Sequence, residues 1–251
     1  MLREVFVVAV SLALSACTVI PIERPSPKDY TAFNSENPRS ILVVPVINHS
    51  NEVDAANLFL TTMAVPLAER GFYVFPTNAT RKLMEAEGLG DAGLVHGTQT
   101  PKLAEVFNAD AVLYVEVLEW ESNYNVLSSD IKTAMLYTLK SGQTNQVLWQ
   151  DEEEYVYSDS GNSGNFIADL LANALMSAIN STRSDYTPMA MAANVKVLTP
   201  PGAGLPYGPY SASYSDNSKL FPSTGSGNIS DASKEAVSAP GLNTRETVNE
   251  E

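Results

Sequence analysis

The chain of 251 residues holds one cysteine, Cys17, and two histidines, His49 and His96. A single thiol excludes an internal disulfide framework, so the fold must stand on its own apolar core. The two histidines have no metal-type partner four residues on, which leaves little material for a zinc centre. Cations are scarce as well: 15 Lys and Arg face 29 Asp and Glu, a formal net charge of −14. That balance argues against nucleic acid as a partner and against adhesion to anionic lipid by charge. No apolar run reaches the roughly 20 residues that a membrane-spanning helix needs.

What is present begins at the N-terminus. "VFVVAVSLAL" (5–14) has the length of a signal-peptide h-region and follows Arg3. Ser15 and Ala16 then stand directly before Cys17. Leu-Ser-Ala-Cys resembles the lipobox of bacterial lipoproteins. The resemblance implies a signal peptide over residues 1–16, lipidation of Cys17 and cleavage before it. Thr18, in place of an aspartate, favours the outer membrane; the domain is expected to face the periplasm. Residues 17–39 carry Pro21, Pro25, Pro27 and Pro38 and read as the lipidated Cys and an extended tether.

Periodic apolar pattern fills residues 40–210, the expected domain. "ILVVPVI" (41–47) is a β-branched apolar run broken by Pro45, which predicts an edge or a bulge. Val53 to Arg70 places Ala56, Phe59, Leu60, Met63 and Leu67 on one helical stripe, kinked or restarted at Pro66. A strand at 72–75 and helices at about 77–87 and 100–108 follow. Residues 111–120 and the segments to about 157 read as successive antiparallel strands with Gly142 in a turn. Helices over 166–180 and near 187–196 close the domain. The order βαβααβββα(α) predicts an α/β fold: a single α/β sandwich, a mixed sheet with helices packed on it. Residues 200–210, "PPGAGLPYGPY", suit a fixed strap. Residues 199–251 hold six of the 14 Gly and six of the 15 Pro, and disorder is expected over 211–251.

Candidate chemistry is thin. "GLGDAG" (88–93) has dinucleotide-type glycine spacing but follows a helix, so a helix C-cap and loop is the better assignment. The acidic run Asp151 to Glu154 reads as a solvated strand edge. No catalytic, cofactor-binding or metal-ligating set emerges, and the chain reads as a protein that is not an enzyme. The stretch Gly88 to Thr100 is polar and glycine-rich yet contains Leu94, Val95 and His96, which marks it as a candidate partner-binding loop.

"VDAANLFLTTMAVPLAERGFYVFP", "ADAVLYVEVLEWESNYNVLSS" and "LKSGQTNQVLWQ", behind the lipobox, resemble a family of bacterial lipoproteins of unknown function first noted as a meningococcal surface antigen. More distant is a similarity to the periplasmic domain of the curli-secretion channel lipoprotein and to a lipoprotein activator of a peptidoglycan synthase. The resemblance implies a compact α/β domain, attachment to the membrane by lipid, and other envelope proteins as partners, including a curli-secretion-channel-like lipoprotein. It leaves a homo-oligomer open. Two roles follow: a component of an envelope assembly or secretion complex, or an activator of peptidoglycan synthesis. The tether spans at most about 70 Å, which makes reaching an inner-membrane synthase difficult and favours the first.

Overall fold

The computed structural model describes residues 28–124, 129–158 and 185–222. Cys17, the expected helix at 166–180 and the tail after Pro222 lie outside them.

The core is a six-stranded mixed sheet in the order β3-β1-β4-β5-β6, with β2 also paired to β4. β1 (Ser40–Val43), β2 (Ile47–Asn48) and β3 (Tyr73–Val74) belong to the parallel half with β4 (Ala111–Tyr124). β5 (Ser129–Ser141) and β6 (Val147–Ser158) extend it as an antiparallel meander. Pro45 divides the "ILVVPVI" run into β1 and β2, because proline has no N–H to give to a ladder. A register shift between Val117 and Glu119 marks a bulge in β4. Beyond it Trp120 returns to the core, edge-on to Phe59 at 6.5 Å.

Strand alternation sends side chains to two cores. Ile41, Val43, Leu113, Val115 and Val117 face one cluster; Leu42, Val44, Val112 and Tyr114 face the other. The first core is covered by α1 (Thr31–Glu36), α2 (Ala55–Thr62), α3 (Ala64–Glu69) and α7 (Thr187–Leu198). The second lies under α4 (Thr77–Ala86), α5 (Ala92–Gly97) and α6 (Thr100–Phe107). The expected helix over 53–70 is interrupted at Met63, just ahead of Pro66. Asn194 of α7 binds this interruption. Its Nδ2 donates to the Phe59 carbonyl (3.3 Å) and to Thr62 Oγ1 (2.9 Å), and its Oδ1 accepts from the Tyr137 hydroxyl (2.7 Å). A fully buried amide that satisfied both helices and the sheet fixes α7 in place.

Two boundaries differ from expectation. The tether does not run to residue 39: from Lys28 the chain is packed, with Tyr30 and Phe33 buried in the first core. Nor does order end at Tyr210. A turn of 3₁₀ helix (Tyr214–Asp216) and α8 (Asn217–Leu220) follow, and Phe221 is fully buried, edge-on to Tyr30 at 5.3 Å and to Tyr207 at 6.2 Å. Composition hid this because a single Phe at the end of a Ser/Asn-rich run supplies the fully buried side chain, and burying it contributes about 1.5–3 kcal/mol.

The strap is present. Gly208 N donates to the Arg70 carbonyl (2.8 Å) and Tyr210 N to the Gly71 carbonyl (3.1 Å). Gly71, at φ 88°, admits this approach; a Cβ there would collide with the Ser211 backbone. Arg70 reaches the carbonyls of Thr199 and Leu205 and lies over the Tyr207 ring at 4.1 Å.

Candidate functional site

The residues singled out in 88–100 are not a loop. Gly88, at φ 83°, closes α4, and Asp91 caps α5, its carboxylate accepting from Leu94 N at 3.1 Å. On this helix the three marked residues part company. Val95 is fully buried in the second core, His96 is nearly so, and Leu94 is 57% exposed. Of the three, only Leu94 is offered to a partner.

His96 leads to an arrangement that sequence spacing could not show. Its Nε2 donates to the Pro45 carbonyl at 2.9 Å, and its ring stands edge-on to Tyr114 at 5.0 Å. Since a carbonyl only accepts, neutral His96 carries its proton on Nε2 and leaves Nδ1 as a bare acceptor. That Nδ1 makes no hydrogen bond and lies 4.0 Å from Glu116 Oε1. The other oxygen of Glu116, Oε2, meets His49 Nε2 at 2.8 Å. Both histidines of the chain therefore converge on one carboxylate. Glu116 sits on β4 where Ile47 of β2 pairs with it, and His49 N donates to the Val117 carbonyl at 2.9 Å. The break at Pro45 turns one histidine carbonyl partner and one histidine-bearing loop toward the same β4 residue.

Electrostatics at this end are poised. Burial pushes the His96 pKa down, opposed by its bond to Pro45 and by Glu116 and assisted by Lys140 and His49. Burial also lowers Lys140, which lies over the Tyr114 ring at 5.3 Å, and raises the Tyr114 phenol, whose oxygen is 2.9 Å from Thr100 Oγ1. Protonated His96 would direct Nδ1–H toward Glu116 Oε1, 4.0 Å away. Among the described residues no group of three His, Cys, Asp or Glu is placed to hold a metal ion. The large apolar side chains left exposed here are Leu94 and, on the turn after β2, Val53 at 85%.

The acidic run divides by strand alternation. Glu154 is exposed and Glu152 and Glu153 are half-buried, but Asp151 is buried, contrary to the solvated edge expected for all four. Lys28 Nζ lies 2.5 Å from Asp151 Oδ1 and donates to the Ala203 carbonyl of the strap at 2.7 Å. It stands over the Trp149 ring at 5.3 Å, while Trp149 Nε1 donates to the same carbonyl at 3.2 Å. Burial lowers the Lys28 pKa and raises that of Asp151 to about 6, each against the attraction of the other. Sequence reasoning missed this pair because Lys28 lay in the presumed tether.

The family described as "Putative lipoprotein GNA1162-like" matches residues 28–210, and the chain belongs to it. It is 33% identical over 177 residues to the "Putative lipoprotein NMB1124/NMB1162" of Neisseria meningitidis serogroup B, covering 70% of this chain and 80% of that protein. Among solved structures it is similar to lipoprotein GNA1162 from Neisseria meningitidis (32% identity, TM-score 0.48, 57% of this chain and 100% of the other). It is similar too to the LpoB C-terminal domain from Salmonella enterica (22% identity, TM-score 0.36, 51% and 95%) and to the PelC dodecamer from Paraburkholderia phytofirmans in space group P6 (15%, 0.36, 61% and 94%).

Proposed function

We propose that this lipoprotein is held at the outer membrane by acyl chains on Cys17 and acts, without catalysis of its own, as a component of an envelope assembly or secretion complex. Its partner contact is the end of the sheet where His49, Glu116 and His96 meet. One observation carries the assignment: Leu94 and Val53, both exposed, stand on the helix and the turn that supply the two histidines. Leu94 and Val53 together present apolar surface on the two segments that carry the histidines, and a docked partner would bury it. Lipid attachment adds to this by concentrating the domain at one membrane, so a modest contact area suffices.

The test is co-purification of the lipidated protein from native membranes. Leu94→Ser should keep the melting curve and lose the co-purifying envelope proteins; an unchanged set of partners would refute the assignment. Leu94 is the informative position, because Val95→Ser or His96→Ser would disturb a buried site and report on folding instead. Cys17→Ser should leave the domain folded and reduce palmitate labelling and membrane sedimentation to background. A Cys17→Ser protein that still sediments with outer membrane would contradict the anchor. Turnover of any envelope substrate by the purified domain would contradict the non-enzymatic role.

A further inference from the structure

The end of the sheet that carries both histidines holds one carboxylate for two imidazoles. Glu116 Oε2 lies 2.8 Å from His49 Nε2, while Oε1 faces His96 Nδ1 at 4.0 Å, too far for a hydrogen bond. The two rings differ in what else can serve them. His49 is half exposed on the turn after β2, so water can take the place of Glu116. His96 is enclosed: its Nε2–H is committed to the Pro45 carbonyl at 2.9 Å, its ring stands edge-on to Tyr114, and its Nδ1 is buried. The titratable groups that face it are Glu116 and Tyr114 of β4, Lys140 of β5 and His49. Among these described residues Glu116 is the carboxylate that a second N–H on His96 can reach. The Glu116 backbone is held on both sides, paired with Ile47 of β2 and with Leu136 of β5, so any movement is confined to its side chain. Closing 4.0 Å to hydrogen-bond length takes about 1 Å of it.

We infer that this end is an acid-sensitive latch: a proton taken up on His96 Nδ1 draws the Glu116 carboxylate away from His49, and docking at Leu94 and Val53 weakens. The docking half rests on the partner contact proposed above; the exchange of Glu116 stands on the geometry of the three side chains. The site of protonation is fixed by the Pro45 carbonyl, which holds the neutral ring in its Nε2–H form and leaves Nδ1 as the basic atom. Burial holds the His96 pKa below its usual 6.5, and Lys140 and His49 push the same way, so the ring is neutral at pH 7 and takes its proton on acidification. A buried imidazolium without an acceptor is far more costly than a hydrated one. That difference decides the competition: when both rings are charged, the carboxylate turns to His96 and His49 is left to water. Released His49 then stands as an unpaired cation four residues before Val53. A partner that covers this turn has to strip it of water with no carboxylate in return. Acid therefore opposes docking without altering Leu94 or Val53.

Two readouts separate the exchange from its consequence. Nitrogen-15 labelling of histidine in the full mature chain, carried without a histidine tag, gives signals from two imidazoles only. Between about pH 7.5 and 5 His96 should pass from an Nε2–H ring to a doubly protonated one with a midpoint below 6.5, and the His49 signals should shift at that same midpoint. In Glu116→Gln the His96 midpoint should fall by about one unit or more, and the two rings should titrate independently. A His96 ring that stays neutral to about pH 5, or one whose titration leaves His49 unmoved, overturns the inference. The second readout is photo-crosslinking from position 94 of the lipidated chain in native membranes, at about pH 7.5 and 5.5. Adduct yield should fall several-fold in acid and recover when the membranes are returned to neutral pH before irradiation. His96→Gln keeps an N–H for the Pro45 carbonyl but has nothing to protonate, and should hold its yield; if that variant fails to fold, the histidine signals of the wild-type chain decide. Equal yields at both pH values, or the same fall in folded His96→Gln, overturn the inference and leave the docking reading standing. No adduct at either pH contradicts the docking reading itself and the docking half of the inference with it, while the histidine signals still decide the exchange.

Discussion

Two polar clusters in this domain differ in burial and in completeness: the Lys28 and Asp151 side chains are 3% and 7% exposed, whereas those of His96, Glu116 and His49 are 6%, 15% and 51% exposed. At Lys28–Asp151 the ammonium is paired with a carboxylate, bonded to the Ala203 carbonyl and placed over Trp149. At His49–Glu116–His96 a buried imidazole nitrogen is left without a hydrogen bond, next to exposed Leu94. The first has the character of a fastening. It joins the point where the chain enters, the middle of β6 and the strap, and nothing in it remains to be satisfied by a ligand. The second leaves His96 Nδ1 without a hydrogen bond among the described residues, and an unmet polar atom in a core costs free energy. Such a defect beside an exposed apolar residue is where a functional contact is best sought.

Removing one partner of the fastening should have the largest effect. Asp151→Ala leaves the Lys28 ammonium buried and unpaired, at a cost of about 3–5 kcal/mol in denaturant unfolding. Lys28→Met combined with Asp151→Leu should recover most of it; a single substitution without loss would show that the pair does not hold the strap. Next in size is truncation. Ending the chain after Pro222 should scarcely move the thermal midpoint, whereas ending it after Tyr210 removes Phe221 and should cost about 3 kcal/mol, in the range of large core deletions. Equal midpoints would place Phe221 outside the cooperative fold.

The clusters should also differ in the sign of their pH dependence. Asp151 has a folded pKa raised to about 6 from 3.8, so the folded state binds the extra proton, and this group's contribution is lost as pH rises from about 4 to 6. His96 has a folded pKa lowered from 6.5, so its contribution is present above that value and lost as pH falls below it. Between pH 7 and 5 the stability of wild type relative to Asp151→Asn should therefore grow, and relative to His96→Gln should shrink. Differences of the same sign would mean that one cluster is wrongly described.

Much of the fold was legible because it follows period and punctuation. The β-branched run at 41–47, the helical stripe ending at Gly71 and the three successive strands each declare themselves within a dozen residues. Pro45 and Pro66 marked their breaks for local reasons, a missing donor in each case. The lipobox is equally local. The site was not legible, because it is assembled from three separated places: His49 and Glu116 are 67 residues apart, and the Pro45 carbonyl lies 51 residues before His96. Leu94 to His96 did draw notice as apolar residues in a polar stretch, but the short helix that buries Val95 and exposes Leu94 depends on the Asp91 cap and on the core it meets. Lys28, Phe221 and Asp151 were misjudged for a related reason. Composition averages over a window, and each of these acts as a single side chain reaching across the fold.

The central claim is that the histidine end is where partners dock, and site-specific photo-crosslinking tests it most directly. A photoreactive side chain is placed at Leu94 in one variant of the lipidated protein and at Val65, equally exposed but on α3, in another. After irradiation in intact cells the position-94 variant should yield a discrete adduct with an envelope protein and the position-65 variant should not. Adducts of equal yield at both positions, or at position 65 alone, would contradict the account.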